Sequence, residues 1–136
     1  MTRWQGILLA LSVSILSACS TAYVPEGMSH CSVIGFCRGG YSEQQLSENT
    51  YSVSFLGNKR TARRTTQTYL VYRCAEVTLN SGHDYFVFVN ESTDKDGDKY
   101  RSNAVIRVLT EGEPTNNQKA YNAREVIANL SPQIRW

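Results

Sequence analysis

The sequence predicts an α+β domain in which two helices pack on a small three-stranded sheet, in the order β-α-β-β-α. Three observations support this fold class. Residues 51–56 alternate apolar and polar side chains, as a strand with one solvent-exposed face does. Residues 61–80 carry apolar side chains at helical spacing. Residues 122–130 combine a helix-start signal with a single apolar stripe, which predicts the second helix.

The first helix has clear expected boundaries. Gly57-Asn58 ends the first strand as a turn, and Thr61 is the expected N-cap, because its hydroxyl can accept a hydrogen bond from the first helical turn. Ser81-Gly82 is the expected end of the helix. The pattern also predicts a wide buried face formed by Leu70, Val71, Cys74, Ala75 and Val77. The opposite, wetter stripe is expected to contain Tyr69, Arg73 and Glu76.

The other two strands follow this helix. Residues 85–89 are almost entirely apolar or aromatic, so both faces of this strand are expected to be covered. Asp96-Gly97 suits a tight hairpin turn and leads to a returning strand at residues 104–109. A helical crossover makes the first two strands parallel, and the third strand lies either between them or beside the second.

The last helix has a specific start signal. Asn122 is the expected N-cap, and Glu125 is its capping-box partner. Pro132 ends the helix soon after residue 130. Side chains at helical spacing form the stripe expected to face the sheet, namely Ala123, Val126, Ile127 and Leu130.

The N-terminal segment has the features of an export signal. Arg3 precedes an apolar run at residues 7–16, which is too short for a spanning helix of about 20 residues. The run ends in Leu16-Ser17-Ala18-Cys19, the pattern of a bacterial lipobox. We therefore predict that residues 1–18 are a lipoprotein signal peptide and that Cys19 is lipidated. The alternative is an ordinary secretory signal, cut before Cys19, which would leave this cysteine as a thiol.

A lipidated Cys19 would hold the chain on a membrane, because two or three acyl chains make release slow. Ser20 follows the cysteine, where Asp would resemble an inner-membrane retention signal, so the expected location is the outer membrane, facing the periplasm. Residues 19–40 contain Pro25, glycines and polar residues without a sustained period, and we predict that they form a flexible lipidated tether. Residues 41–136 are then a single α+β domain.

The charge balance limits the class of partner. The chain has 14 Lys and Arg against 12 Asp and Glu, for a net charge of +2. Removal of residues 1–18 takes away Arg3 and leaves 118 residues with a net charge of +1, enough chain for one domain. A nearly neutral domain gives no reason to expect nucleic acid as a partner.

Three cysteines follow Cys19. Cys31 and Cys37 flank a five-residue loop, and an exported domain lies in an oxidising space, so a Cys31–Cys37 disulfide is expected. A bridge from either cysteine to Cys74 and two free thiols are the alternatives. Cys74 falls within the helical pattern and is expected to be a small buried core residue.

Several segments between residues 40 and 132 carry a resemblance. The most specific are Gly40-Tyr41-Ser42-Glu43, Tyr72-Arg73-Cys74-Ala75-Glu76-Val77 and Ala120-Tyr121-Asn122-Ala123-Arg124-Glu125-Val126. Together they resemble an uncharacterised family of small proteobacterial outer-membrane lipoproteins. The resemblance agrees with the lipobox and implies no activity, substrate or catalytic residue. The chain departs from the family at Cys74, where a small Ala is more common, and in its Cys31 and Cys37 pair.

The residues do not predict catalysis or a cofactor. The chain has no G-x-S-x-G, P-loop or H-E-x-x-H motif. His30 beside Cys31 and Cys37 offers three metal ligands, whereas a closed zinc site needs four. Residues 94–98 alternate acids like the start of a calcium loop, but Lys99 stands where the sharp-turn Gly belongs. We therefore expect no metal, no cofactor and no enzymatic activity.

A basic cluster lies at the expected start of the first helix, formed by Lys59, Arg60, Arg63 and Arg64. Cations there oppose the helix dipole, which favours anions at its N-terminus. Free backbone N–H groups together with these side chains would bind an anion. The ligand would then be lipid phosphate, lipopolysaccharide or an acidic partner protein, and the alternative is a solvated surface charge run.

The sequence thus predicts a membrane-anchored, non-enzymatic module that interacts with an envelope protein or maintains the envelope. The alternative function is a binder or sensor of an anionic envelope ligand, which would use the basic cluster.

Overall fold

The structure is a computed structural model that describes residues 22–26 and 39–136. Residues 1–18, predicted to be a signal peptide, lie outside the described residues together with Cys19, Cys31 and Cys37, so the predictions about them stay predictions. The elements are, in chain order, β1 (Gly40–Ser47), β2 (Thr50–Leu56), α1 (Arg63–Asn80), β3 (Tyr85–Asp96), β4 (Lys99–Leu109), β5 (Ala120–Asn122), α2 (Ala123–Leu130) and a 3₁₀ turn (Ser131–Gln133).

The described strands form one antiparallel five-stranded sheet, in the order β1-β2-β4-β3-β5. The α+β class is confirmed, but the prediction of a three-stranded sheet is wrong. Sequence patterning missed β1 because residues 42–45 are polar, as suits an exposed edge strand. It missed β5 because three residues are too few to show a period. β2 and β3 run in the same direction with β4 between them, one of the two positions that the sequence left open.

The core lies between the sheet and the helices. It contains Val53, Phe55, Phe86, Ile106 and Val108 from the strands, and Tyr69, Leu70, Cys74, Ala75 and Val77 from α1. The predicted buried face of α1 is therefore confirmed except for Val71, which is half-buried. Tyr69 was expected on the wetter stripe, and this prediction is wrong, because only 1% of its surface is exposed. The rings of Tyr23 and Phe55 cover it edge-on.

The two helices begin differently. Asn122 caps α2 as predicted, because its side chain accepts a hydrogen bond from the backbone N–H of Glu125 at 3.1 Å. The predicted cap of α1 is wrong, since Ala62 occupies the N-cap position and supplies no side-chain hydrogen bond. The Thr61 hydroxyl donates instead to the side chain of Asn58 at 3.0 Å, closing the turn before the helix.

The β3–β4 hairpin differs from the expected one in the residues of its turn and in a bulge within β3. Asp96 pairs with Lys99, so Gly97 and Asp98 are the central turn residues, rather than Asp96 and Gly97. Only Gly97 of these two has a positive φ, of 66°, as in a turn with Gly at its first central position. A bulge between Phe88 and Asn90 leaves Val89 53% exposed. The expected coverage of both faces therefore ends before Val89.

Candidate functional site

Residues 22–26, which the sequence assigned to a flexible tether, are docked against the start of β1. The Tyr41 N–H donates to the Val24 carbonyl at 2.9 Å, and the Glu26 N–H donates to the Tyr41 carbonyl at 2.8 Å. Pro25 forms a parallel bridge with Tyr41. The Tyr23 N–H donates to the Arg135 carbonyl at 2.7 Å, so the segment also contacts the C-terminal tail.

Gly40 makes this docking sterically feasible. Its φ is +124°, a conformation that residues with a Cβ rarely adopt. A Cβ at this position would lie only 2.2 Å from the Val24 carbonyl oxygen. The docked segment thus approaches the backbone of β1 where only glycine leaves room for it.

The Tyr23 side chain fills a cluster of aromatic rings. It is 3% exposed, although it belongs to a segment with no sequence pattern of burial. Ring-centroid distances from Tyr23 run from 4.9 to 6.2 Å, and the partners are Tyr41, Phe55, Tyr69, Tyr72 and Trp136. Aromatic pairs at such separations stabilise a fold by more than the burial of their surface alone would.

Arg73 connects this cluster to two carboxylates. Its guanidinium donates to both carboxylate oxygens of Glu43, at 2.6 and 3.1 Å, and to Glu76 at 2.7 Å. The same group lies 3.9 Å from the centroid of the Tyr41 ring, and the Tyr23 hydroxyl donates to Glu76 at 2.7 Å. We call these five residues the Tyr23 network. Because every charge in it has a partner of opposite sign, the network can hold the N-terminal segment on the domain without a bound ligand.

The pKa values of two groups in the network, Tyr23 and Arg73, are raised. Burial raises the pKa of Tyr23, and the hydrogen bond to Glu76 with its negative charge raises it further. Burial works against the Arg73 cation, but the hydrogen bonds to Glu43 and Glu76 outweigh it and raise the pKa of Arg73. Both Tyr23 and Arg73 therefore keep their protons at neutral pH.

Cys74 is a free, fully buried thiol. Burial raises its pKa, and the negative charge of Glu91 adds to that effect. A protonated, inaccessible sulfur is a poor nucleophile. The prediction that Cys74 is a small core residue is confirmed, and a disulfide from Cys74 to either earlier cysteine is not formed.

A groove lies between the first half of α1 and the part of β3 beyond the bulge. Its volume is about 270 Å³. The lining residues are Arg63, Gln67, Leu70 and Val71 from α1, with Glu91, Ser92 and Thr93 from β3. Leu70 and Val71 are the apolar lining residues, and Arg63 and Glu91 contribute opposite charges to the lining.

The outer side of β3 beyond residue 87 has no strand partner in the described part of the chain, because β5 pairs only with residues 85–87. The Tyr100 carbonyl accepts from Gly57 on the β2 side of β4, so Lys95, its cross-strand partner, directs its backbone groups away from β4. Glu91 and Thr93 share that direction, since alternate residues of a strand point the same way. We call this row of outward N–H and C=O groups the open edge.

All four residues of the basic cluster are exposed. None of them forms an ion pair with a carboxylate in residues 22–26 or 39–136. α1 has no acidic residue in its first turn. The Arg63 guanidinium makes one long contact, of 3.5 Å, to the Thr93 carbonyl, so this residue belongs both to the cluster and to the groove.

Comparison of the chain with protein-family models, with curated proteins and with solved structures gives no match. The resemblance to small proteobacterial lipoproteins stays a prediction. In the part of the chain that the structure describes, neither helix combines the length and the apolar character that a membrane crossing requires. Within the same residues, no group of three His, Cys, Asp or Glu side chains is placed to hold a metal ion.

Sequence reasoning found the basic cluster but missed the Tyr23 network and the open edge. The network joins Tyr23 to Glu76, residues 53 positions apart, and no local pattern predicts such a contact. The start of β1 gave no local signal either, because residues 42–45 are all polar. The open edge follows from the shortness of β5, which pairs only with residues 85–87 and is too short to show a period in the sequence.

Proposed function

We propose that the chain is a non-enzymatic interaction module of the cell envelope, lipidated at Cys19 and held on the outer membrane with its domain in the periplasm. The open edge beside the groove is the observation that supports this function most. An extended segment can add to a free sheet edge, where backbone hydrogen bonds give affinity and neighbouring pockets give specificity.

The charges on the open edge define the partner's chemistry. Glu91 and Lys95 point to the same face of β3 and are four residues apart. A strand that adds antiparallel to β3 therefore needs a basic residue opposite Glu91 and an acidic residue opposite Lys95. A side chain of that strand would enter the groove and contact Leu70 and Val71. β3 of a second copy, paired about Thr93, is one segment with this charge order.

A pair of variants tests whether backbone groups recognise the partner. Glu91→Pro removes one outward N–H and leaves the ladder to β4 intact, whereas Glu91→Ala removes only the side chain. A photo-crosslinking residue at Gln67, in the groove, should capture a discrete envelope protein in intact cells. We expect Glu91→Pro to abolish that crosslink and Glu91→Ala to reduce it only partly.

The controls make the outcome specific. A crosslinker at Asn129, exposed on α2, should not capture the same protein. A crosslinked species of twice the mass of the chain would identify a second copy as the partner. A folded Glu91→Pro chain that still captures the protein through Gln67 would contradict strand addition.

The lipid anchor has its own test. Metabolic labelling with a fatty acid should mark the wild-type chain in a bacterial host and leave Cys19→Ala unlabelled. An unlabelled wild-type chain would contradict the anchor but would leave the open edge untouched.

A second candidate function is the binding of an anionic envelope ligand through the basic cluster. The exposure of its four cations and the absence of an acid in the first turn of α1 favour this function. Binding of the unlipidated Cys19→Ala chain to vesicles rich in phosphatidylglycerol, with a steep loss as salt rises, would support it. Equal binding to neutral vesicles would count against it.

A further inference from the structure

The docked segment lies very close in sequence to the predicted anchor. Tyr23 is four residues after Cys19. Four fully extended residues span at most about 14 Å. Because Tyr23 is buried and its N–H is bonded to Arg135, the fixed part of the domain begins within that distance of the Cys19 backbone. The domain thus cannot stand far from the membrane on a long tether.

Trp136 lies on the surface beside this point. Its ring is edge-on to Tyr23 at 5.4 Å and to Tyr72 at 6.1 Å, yet 75% of the residue is exposed. Indole rings concentrate in the headgroup region of membranes, where an apolar body and a polar N–H are both satisfied. Trp136 is a large aromatic side chain at the surface, close in space to the segment that follows the predicted anchor. Its chemistry therefore suits the headgroup region.

The backbone that carries Trp136 is fixed to the domain. Ile134 is 7% exposed, and the Arg135 N–H donates to the Tyr69 hydroxyl at 3.1 Å. The Arg135 carbonyl accepts from Tyr23, so the C-terminal tail and the docked segment are held together. The position of Trp136 relative to Tyr23 is consequently set by the fold.

We propose that the surface around Tyr23, with Arg135 and Trp136, lies against the bilayer that holds Cys19, and that the indole of Trp136 enters the headgroup region. This inference rests on the proposed lipidation of Cys19. The short link keeps this surface close to the membrane, and Gly40 and the Tyr23 network hold residues 22–26 on the domain.

Tryptophan fluorescence provides a direct test. The chain has two tryptophans, and Trp4 is lost with the signal peptide, so Trp136 alone reports in the mature protein. The lipidated chain would be reconstituted into vesicles of phosphatidylethanolamine and phosphatidylglycerol. We expect emission at shorter wavelength than in the soluble Cys19→Ser chain, and weaker quenching by aqueous iodide. Lipids spin-labelled at the headgroup should quench more strongly than lipids labelled near the chain ends.

A linker insertion separates orientation from simple attachment. About 12 Gly and Ser residues between Ser20 and Thr21 add an r.m.s. span of about 19 Å and leave the fold unchanged. This variant should float with vesicles as the wild-type chain does, but Trp136 should regain the iodide quenching of the soluble chain. Retained shielding after insertion would overturn the role of the short link.

The outcomes distinguish this inference from the proposed function. Failure of the wild-type chain to float with vesicles would contradict lipidation itself. A chain that floats while Trp136 remains as open to iodide as in the soluble chain would overturn only the membrane-facing surface. Shielding that disappears when the basic cluster is reversed to Glu, with the linker unchanged, would assign the contact to that cluster and overturn the role of Trp136.

Discussion

Two arginines of the same helix have opposite environments. Arg73 is 12% exposed at its side chain and contacts Glu43, Glu76 and the ring of Tyr41. Arg63 lies ten positions earlier, is exposed, and makes a single long contact to the Thr93 carbonyl. The same side-chain chemistry is fully satisfied within the fold at one position and is available to a partner at the other.

The two environments correspond to two proposed roles, stabilisation of the fold around Arg73 and binding of a partner around Arg63. The polar side chains of the Tyr23 network form hydrogen bonds with one another, so the network stabilises the domain and fixes residues 22–26. The groove, the open edge and the basic cluster keep charges and backbone groups exposed, apart from the Thr93 carbonyl that Arg63 contacts. Substitutions at these surfaces should affect partner binding more than folding. The following changes test that division, from the largest expected effect on stability to the smallest.

Tyr23→Ala should have the largest effect. Loss of a buried aromatic ring should lower the free energy of unfolding by about 3–5 kcal/mol, the range for large aromatic core residues. Chemical denaturation of the Cys19→Ser chain measures it. Leu46→Ala is the control, since Leu46 is 52% exposed and should change the value by no more than about 0.5 kcal/mol. Equal, small effects at both positions would mean that residues 22–26 are not docked.

Arg73→Leu should come next. It leaves Glu43 and Glu76 without their cation, and the free energy of unfolding should fall by about 2–4 kcal/mol, somewhat less than for a fully buried pair because Glu43 is one-third exposed. Arg63→Leu is the matched change on the same helix and should stay within about 0.5 kcal/mol. A larger loss at Arg63 than at Arg73 would reverse the assignment of the two residues.

Alkaline pH should weaken the folded state in a defined window. Burial raises the pKa of Cys74 above about 8.5 and the pKa of Tyr23 above about 10. A raised pKa in the folded state means that the stabilisation is complete below the unfolded pKa and is lost as pH rises beyond it. Unfolding free energy should therefore fall from about pH 8.5, by roughly 1.4 kcal/mol per unit for each group.

Two variants sharpen this pH measurement. Cys74→Ala should remove the part of the loss that begins near pH 8.5, and Tyr23→Phe should remove the part that begins near pH 10. Stability that stays constant up to pH 10.5 in the wild-type chain would show that neither group is held in its protonated form by the fold.

Reversal of the basic cluster should have the smallest effect on stability. Glu at Lys59, Arg60, Arg63 and Arg64 suits a helix N-terminus, so the free energy of unfolding should be unchanged or slightly higher. Binding of the unlipidated chain to anionic vesicles should disappear. In the wild type that binding should weaken above about 0.15 M salt, where the screening length is roughly 8 Å. Unchanged vesicle binding after reversal would identify the cluster as a solvated surface.

The parts of the fold with a strong period were predictable. Residues 51–56, the buried face of α1 and the Asn122 cap all follow local rules, and the structure contains each of them. β1 was not predictable from its polar residues, because its pairing with β2 supplies the stabilisation that its side chains do not indicate. Burial of Tyr69 likewise depends on Tyr23, which no window around residue 69 contains.

The candidate sites also differ in whether the sequence reveals them. The basic cluster is contiguous, so the sequence reveals it directly. The docked segment depends on Gly40 and on contacts from Tyr23 to residues more than 40 positions away, and its Pro25 suggested a tether instead. The open edge depends on which strand stands outside β3, a property of topology that the strand pattern alone does not contain.

Native-state hydrogen exchange at single residues tests the contrast most directly. The Tyr23 N–H is bonded to the Arg135 carbonyl at 2.7 Å in a buried environment, whereas the Thr93 N–H points outward from the open edge. We predict that the Tyr23 amide exchanges only through large-scale opening of the domain, and that the Thr93 amide exchanges orders of magnitude faster than its neighbour Ser92, which faces β4. A Tyr23 amide that exchanges as fast as that of Thr93 would contradict the account, because the N-terminal segment would then not be held on the domain.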